Sequence, residues 1–420
     1  MATSYLTPGL YFEFVDSGGE TIRSIRTDIA AFIGVAAKGV LDHPVAVRSF
    51  AQFQSRFGAF LNGPFLAYAV RAFFENGGRE CRIVRVAAPP HTTMADLGGP
   101  QPADRSFSTL LSVEGFAPGA VVSIRQNPAF ADDVLLADVD TATGKLTWAH
   151  PLKPEYIPGV AAEFATGAAS AEGVLLDFAG QPTVRITAES PGAWGNNLAV
   201  LTMQSNPAAT QTRGSIAQPA DRMSSYVDSL AGFEPGALVK VYQAVPAPLA
   251  AWHVVEKLDP DAHRLLWTIP LELGFDLTQP IGFETREFSL SVYESGELRE
   301  IFAGLSLRPE HARYITKAIG PDTSRFIRVE DLLSITPWPD RLPNPSAPNL
   351  KFGRLYLRSG RDGTAALRTI DFTGDPLADE KRGLRSLEDE IGVSAVAIPD
   401  LLMQPTPPVE TTPPEKPVDP

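Results

Sequence analysis

The chain has 420 residues, 44% hydrophobic and 20% charged, and its 36 basic against 49 acidic side chains leave a formal charge of −13. That is enough chain for two or three packed domains, and 34 glycines with 38 prolines favour short strands and turns over a helical bundle. The acidic excess argues against a sequence-independent grip on nucleic acid, the single Cys81 excludes an internal disulfide or a Cys-rich zinc site, and no segment approaches the roughly 18 consecutive apolar residues of a membrane helix.

In chain order, residues 1 to 20 read as an extended arm. Leu10, Phe12 and Phe14 alternate with Tyr11, Glu13 and Val15, the period of a strand, and Gly18-Gly19 supplies a hinge. Such a strand must pair with this chain's own sheet or with a neighbour's, and the residues alone leave both open. No basic stretch followed by an apolar core opens the chain, so the expectation is a soluble protein assembled in the cytoplasm.

Residues 21 to 90 form the first part of an α/β core. Ile29 to Val35 is a continuous apolar run, as in a strand covered on both faces. Ser49 caps a short helix carrying Phe50, Phe53 and Phe57, which Gly58 ends. A second helix over 64–76 aligns Phe65, Leu66, Ala69, Val70, Phe73 and Phe74, and a strand over 81–86 follows, with Cys81 as a small core residue.

Beyond Pro90 the texture changes, and part of it repeats. Gly115-Phe-Ala-Pro-Gly-Ala-Val121 recurs 117 residues later as Gly232-Phe-Glu-Pro-Gly-Ala-Leu238. Trp148 and Pro151-Leu152 recur 119 residues later as Trp267 and Pro270-Leu271, so one two-residue insertion reconciles the copies. Two small β-modules, about 104 to 160 and 221 to 280, are expected within inserted segments 91–180 and 206–283. Their tryptophans are expected in the module cores.

The core resumes over 181–205 and 284–403. Val184 to Ala188 and Leu198 to Thr202 read as strands joined by Ser190-Pro-Gly-Ala-Trp-Gly-Asn-Asn197, and Phe288 to Val292 with Glu300 to Phe302 as a hairpin. Helices are expected from Pro309, with Ala312, Ile315 and Ile319 on one face, and from Pro376, with Leu377, Leu384 and Leu387. Val393 to Ile398 reads as a last buried strand. Residues 404 to 420 hold seven prolines in seventeen positions and read as an extended, unfolded tail. The fold class is thus mixed α+β and α/β, a discontinuous α/β core interrupted by two β-rich repeats.

The six histidines, at 43, 91, 150, 253, 263 and 311, show no metal-binding spacing and read mostly as solvated surface. No GxSxG elbow, GxxxxGK[ST] loop or GxGxxG turn is present. Gly360-Arg-Asp-Gly363 can cradle an anion on its backbone amides, though a plain turn with a solvated Asp362 is the simpler reading. The expectation is a protein that is not an enzyme, with no catalytic residue, cofactor or metal.

In this order, the pieces resemble the tail sheath proteins of contractile phage tails and contractile injection systems. The carriers are Pro8-Gly-Leu-Tyr-Phe-Glu13, Ala31-Phe-Ile-Gly-Val35 with Lys38-Gly39, Phe57-Gly58, and Ala69 to Phe74 with Asn76-Gly-Gly78 and Val84-Arg-Val86. Then come Ala188 to Asn196, Glu300-Ile-Phe302 with Leu305-Ser306, Gly360 to Gly363, Asp371-Phe-Thr-Gly374 and Ala397-Ile-Pro-Asp400. The repeated modules lie outside the match.

The resemblance implies a sheath-type core and a structural subunit of a phage virion tail or injection particle. Such subunits stack as rings around an inner tube and contract to drive it through a target envelope. The implied partners are other sheath subunits, the inner tube protein, and baseplate and tail-terminator proteins, with no nucleic acid and no membrane insertion. The arm would lace neighbours together through Leu10, Tyr11, Phe12 and Phe14, swinging at Gly18 and Gly19. After Asp400, sheath proteins continue into the rest of a C-terminal domain, where this chain enters its proline-rich segment. A second reading makes the repeated modules recognise a glycan or envelope component.

Overall fold

Ile29–Gly34 forms β1, and its side chains are covered on both faces because the two sides of the strand meet different layers. The computed structural model describes residues 29–94, 102–126 and 130–401. The arm residues Leu10, Tyr11, Phe12, Phe14, Gly18 and Gly19, and the segment 404–420, lie outside the described residues.

The first layer continues through β2 (Val45–Val47), α1 (Phe50–Phe57), α2 (Leu66–Glu75) and β3 (Glu80–Arg85). Ser49 Oγ accepts from Gln52 N at 3.1 Å and so caps α1 as its residue type suggests. Phe32, Cys81 and Ile83 pack against Phe53, Phe57, Leu66 and Val70 of the helices. On the opposite face Ala31, Ile33, Val84 and Val86 meet Phe372 and Leu387.

The chain then leaves this layer for six strands: β4 (His91–Met94), β5 (Phe107–Thr109), β6 (Val121–Gln126), β7 (Phe130–Asp140), β8 (Lys145–Trp148) and β9 (Glu163–Thr166). Their order across the sheet is β4-β9-β6-β7-β8-β5. The core returns with β10 (Glu172–Leu176), β11 (Pro182–Ala188) and β12 (Leu198–Ser205). Because β10 pairs with β11, the segment from 172 belongs to the core rather than to the insertion expected to run to 180.

The second excursion comprises β13 (Ala209–Gln211), β14 (Ser224–Tyr226), β15 (Leu238–Gln243), β16 (Leu249–Asp259), β17 (Arg264–Trp267) and β18 (Gly282–Thr285). Its order, β13-β18-β15-β16-β17-β14, repeats the first strand for strand. A bridge between Thr212 and Val227 joins the two outer strands, so this sheet closes on itself as a barrel. The duplication reaches single bonds. Trp148 Nε1 donates to Ser108 Oγ and Trp267 Nε1 to Ser225 Oγ, at 3.2 and 3.0 Å. Gln126 and Gln243 each clasp a backbone segment through both ends of the amide. Arg105 and Arg222 share positive φ values of 59° and 58° and bond the equivalent carbonyls of Tyr156 and Phe275. Both tryptophans are buried and stack on Phe164 and Phe283.

The remaining elements are β19 (Glu287–Glu294), β20 (Glu297–Leu305), α3 (Ile315–Ala318), β21 (Ile327–Asp331), β22 (Arg354–Tyr356), α4 (Thr369–Thr373) and β23 (Val393–Ala397). The sheets β10-β11-β21 and β20-β19-β12-β22 face each other across a core of Leu175, Val184, Ile186, Val200, Leu290, Val292 and Phe302. The fold is therefore mixed α+β and mostly β. The interrupted core is a β-sandwich beside one α/β layer, where the sequence suggested α/β throughout.

The strands expected on either side of Ser190–Asn197 are present and lie in different sheets of the sandwich, so that linker crosses between layers. Two further expectations change. The helix expected from Pro309 is the single turn α3, because His311 Nδ1 accepts from Arg313 N and bends the chain first. From Pro376 there is a loop and a short 3-10 turn at Gly383–Leu387, held by Arg385 Nη1 on the carbonyl of Ala378, and Leu377 is 92% exposed.

The stems of the two excursions predict how each responds to excision. Ala168 N donates to Ala88 O at 2.9 Å, so a Gly-Ser linker replacing residues 91–166 spans the gap, and the core cluster removed contains only module residues. That variant is expected to melt cooperatively, with Tm within about 5 °C of the full chain by calorimetry. Excising residues 209–284 also removes Leu238, Trp252 and Val254, which pack on the sandwich core, at roughly 1.5–3 kcal/mol per large side chain. This second variant is expected to aggregate or melt far lower. Equal tolerance of both excisions would contradict the difference in docking.

Candidate functional site at the seam between the core layers

The α/β layer meets the sandwich where the motifs at 38–39, 190–197, 360–363 and 400 converge. Gly39 N donates to Ser190 Oγ at 2.9 Å, Ala193 N to Asp362 Oδ1 at 2.8 Å, and Asn196 exchanges two bonds with the backbone of Gly360. Gly192, at φ 140°, permits this approach, because a Cβ there would stand 2.4 Å from Ala37 O.

Under the loop lies Arg85, fully buried, donating to Ala36 O and Gly39 O at 2.8 and 2.7 Å. Burial pushes its guanidinium down to about 10, with Asp362 opposing, so it stays charged at neutral pH. Burial likewise pushes the Asp362 carboxyl up, against the bond from Ala193 N and the charge of Arg85. Asp362 is half-buried and holds the Ala193 amide, where a fully solvated side chain was expected, and its neighbour Arg361 reaches module 1. Arg361 Nε donates to Gly167 O at 3.1 Å and its Nη1 to Ser123 Oγ.

Asp400 is 1% exposed and accepts from Val35 N at 2.7 Å and from Phe65 N, so it caps the start of α2 from the far end of the sequence. Gly34 leaves the room: a Cβ there would sit 2.4 Å from Asp400 Oδ2. Burial raises the Asp400 carboxyl above the usual carboxylate range, against these backbone bonds.

Two surfaces adjoin the seam. One is a cleft of about 600 Å³ between α1 and the loops at 189–194 and 321–325, whose walls include Lys38, Arg56, Trp194 and Arg325. The other is the outer edge of β23, whose only strand partner among the described residues is β1. Its residues from Ser394 to Ala397 are exposed, correcting the expected buried strand. The reason is size: Ser394, Ala395 and Ala397 carry little apolar area to bury.

Among the described residues no group of three or more His, Cys, Asp or Glu is arranged to hold a metal ion, and no helix is long and apolar enough to cross a membrane. His253 and His311 are buried, where the sequence suggested solvated surface for most histidines. The ring of His253 packs edge-on against Trp267, and Glu272 Oε2 lies 2.9 Å from its Nε2. Sequence reasoning quoted Lys38-Gly39, Val84-Arg-Val86, Gly360–Gly363 and Ala397-Ile-Pro-Asp400 as motifs but gave Arg85 and Asp400 no role, and it missed Arg56 and Arg325 as cleft residues. An arginine inside the apolar run of β3 was the available signal for Arg85. No protein-family model matches the chain, and no curated protein sequence matches it.

Two outcomes are expected at the seam. Asp400→Ala leaves buried backbone donors unsatisfied and should lower unfolding free energy by about 2–4 kcal/mol in urea titration. A carboxyl whose folded value is raised binds protons more tightly in the folded state, so stability is full below the unfolded value and falls as pH rises toward the raised one. Urea midpoints of the wild type are therefore expected to fall relative to those of Asp362→Asn as pH rises above about 4, and a flat difference would contradict the burial of this group.

Proposed function

We propose that the chain is a structural subunit of a contractile tail sheath, a protein that polymerises around an inner tube and contracts to drive it through a target envelope. The collinear sequence resemblance over residues 8–400 is one support. The observation that carries the reading is the edge of β23 that no other described strand covers. Strands at a sheet edge offer a row of unpaired N–H and C=O groups to another chain. At β23 that row lies on the far side of a parallel ladder with β1, and the side chains flanking it, Val396 at 46% among them, are exposed. An apolar strand such as Leu10 to Phe14 from a neighbouring copy has the chemistry to extend it, and Gly18-Gly19 gives the reach. The motifs that carry this resemblance sit at the seam that holds the core layers together, a role suited to a subunit that transmits force and carries out no reaction.

Glycan recognition through the modules has less support. Trp148 and Trp267, the candidate sugar platforms, stand inside the module cores.

Electron microscopy of the purified chain, alone and co-expressed with the proteins encoded beside its gene, tests the reading. Rings or hollow tubes are expected, and a monomer under both conditions overturns it. In assembling material, Phe12→Asp and Val396→Asp should each abolish tubes while moving Tm by less than about 2 °C, the range of surface substitutions.

A further inference from the structure

The cleft beside α1 is lined by Lys38, Arg56 and Arg325, and none of the three has an ion-pair partner among the described residues. The one acid in its wall, Glu189, is occupied: Arg328 donates to both its oxygens, at 2.9 and 2.8 Å. Glu300, behind the 321–325 loop, accepts from Ser324 Oγ and Arg325 N and does not reach the guanidinium of Arg325. Lys38 is held in place by aromatic faces. Its Nζ lies 5.5 Å from the Trp194 ring centroid and 6.0 Å from that of Phe326, and makes no hydrogen bond among the described residues. The backbone beneath is fixed as well, since Lys38 N donates to Phe57 O and Gly39 N to Ser190 Oγ. The cleft therefore presents three cations from three separate segments on a preformed frame, in a protein whose net charge is −13.

We propose that this cleft binds an acidic polypeptide segment of a partner protein. Charge complementarity names the class, because a preorganised cluster of unpaired Lys and Arg is matched by carboxylates or phosphates. Two observations favour a peptide. Val40, Phe57 and Trp194 give the walls an apolar share, which a peptide side chain covers and a bare phosphate does not. A short segment inside the cleft lies within about 8 Å of the cations, the screening length at physiological salt, whereas a nucleic acid would extend beyond them over a protein of net charge −13. The inference does not rest on the sheath reading.

Fluorescence anisotropy of a labelled octaglutamate peptide carrying one leucine, titrated with the full chain at about 50 mM salt, tests it. Because the protein repels polyanions overall, saturable binding requires a local site. Lys38→Glu and Arg325→Glu are each expected to weaken binding about tenfold or more, and Lys257→Glu, exposed on module 2, to leave it unchanged. Lys38→Gln guards against misfolding of the reversed variant and should give a smaller loss in the same direction, with Tm preserved. No binding by the wild type, binding indifferent to Lys38 and Arg325, or tighter binding of inorganic phosphate or a single-stranded oligonucleotide than of the peptide would each overturn the proposal.

Discussion

A carboxylate near the end of the described chain holds its beginning. Asp400 reaches back 365 residues to the amide of Val35 and also caps the helix that starts at Leu66. Beside it β23 lies parallel to β1, so the α/β layer is completed by two segments from opposite ends of the described chain. Closing so long a loop costs entropy only logarithmically in its length, and everything between can lengthen or duplicate without disturbing the closure. The seam glycines serve the same purpose, since Gly34 and Gly192 stand where side chains would push the layers apart.

Duplication used that freedom, and the two copies diverged at their attachments while keeping their interiors. Tryptophan–serine bonds, glutamine clasps and left-handed arginines recur in register. What differs is the contact with the core. Module 1 is held through polar bonds from Arg361, whereas module 2 lends Leu238, Trp252 and Val254 to the sandwich. A polar clasp lets a domain be displaced at small cost, and an apolar one fixes it.

The α/β layer was legible because its signals are local: Ser49, Gly58 and the apolar run of β1 each act within a few residues. The repeat was legible at Pro-Gly and Trp, while Ser108, Gln126 and Arg105 went unnoticed because single polar residues carry no pattern until their partners are seen. The sandwich was not legible, since β21 and β22 are short and pair with strands far away in the sequence. Leucines at helical spacing after Pro376 misled, because Arg385 draws that segment into a loop. The cleft was invisible for the same reason as the sandwich: Lys38, Trp194 and Arg325 come from three distant segments and meet only in the folded chain.

The pairing of β1 with β23 also sets how the molecule bears load. Ile29 lies opposite Val393 and Phe32 opposite Ala397, with both strands running the same way. Tension applied before β1 and after β23 drags one strand along the other, so the ladder between them resists in shear, with its bonds sharing the force and breaking together. The modules leave and re-enter the core at neighbouring points, Ala88 with Ala168 and Ala208 with Thr285, and so lie outside that line of force. While the terminal pair holds, a pulled chain transmits tension through one small sheet and leaves both modules unstretched.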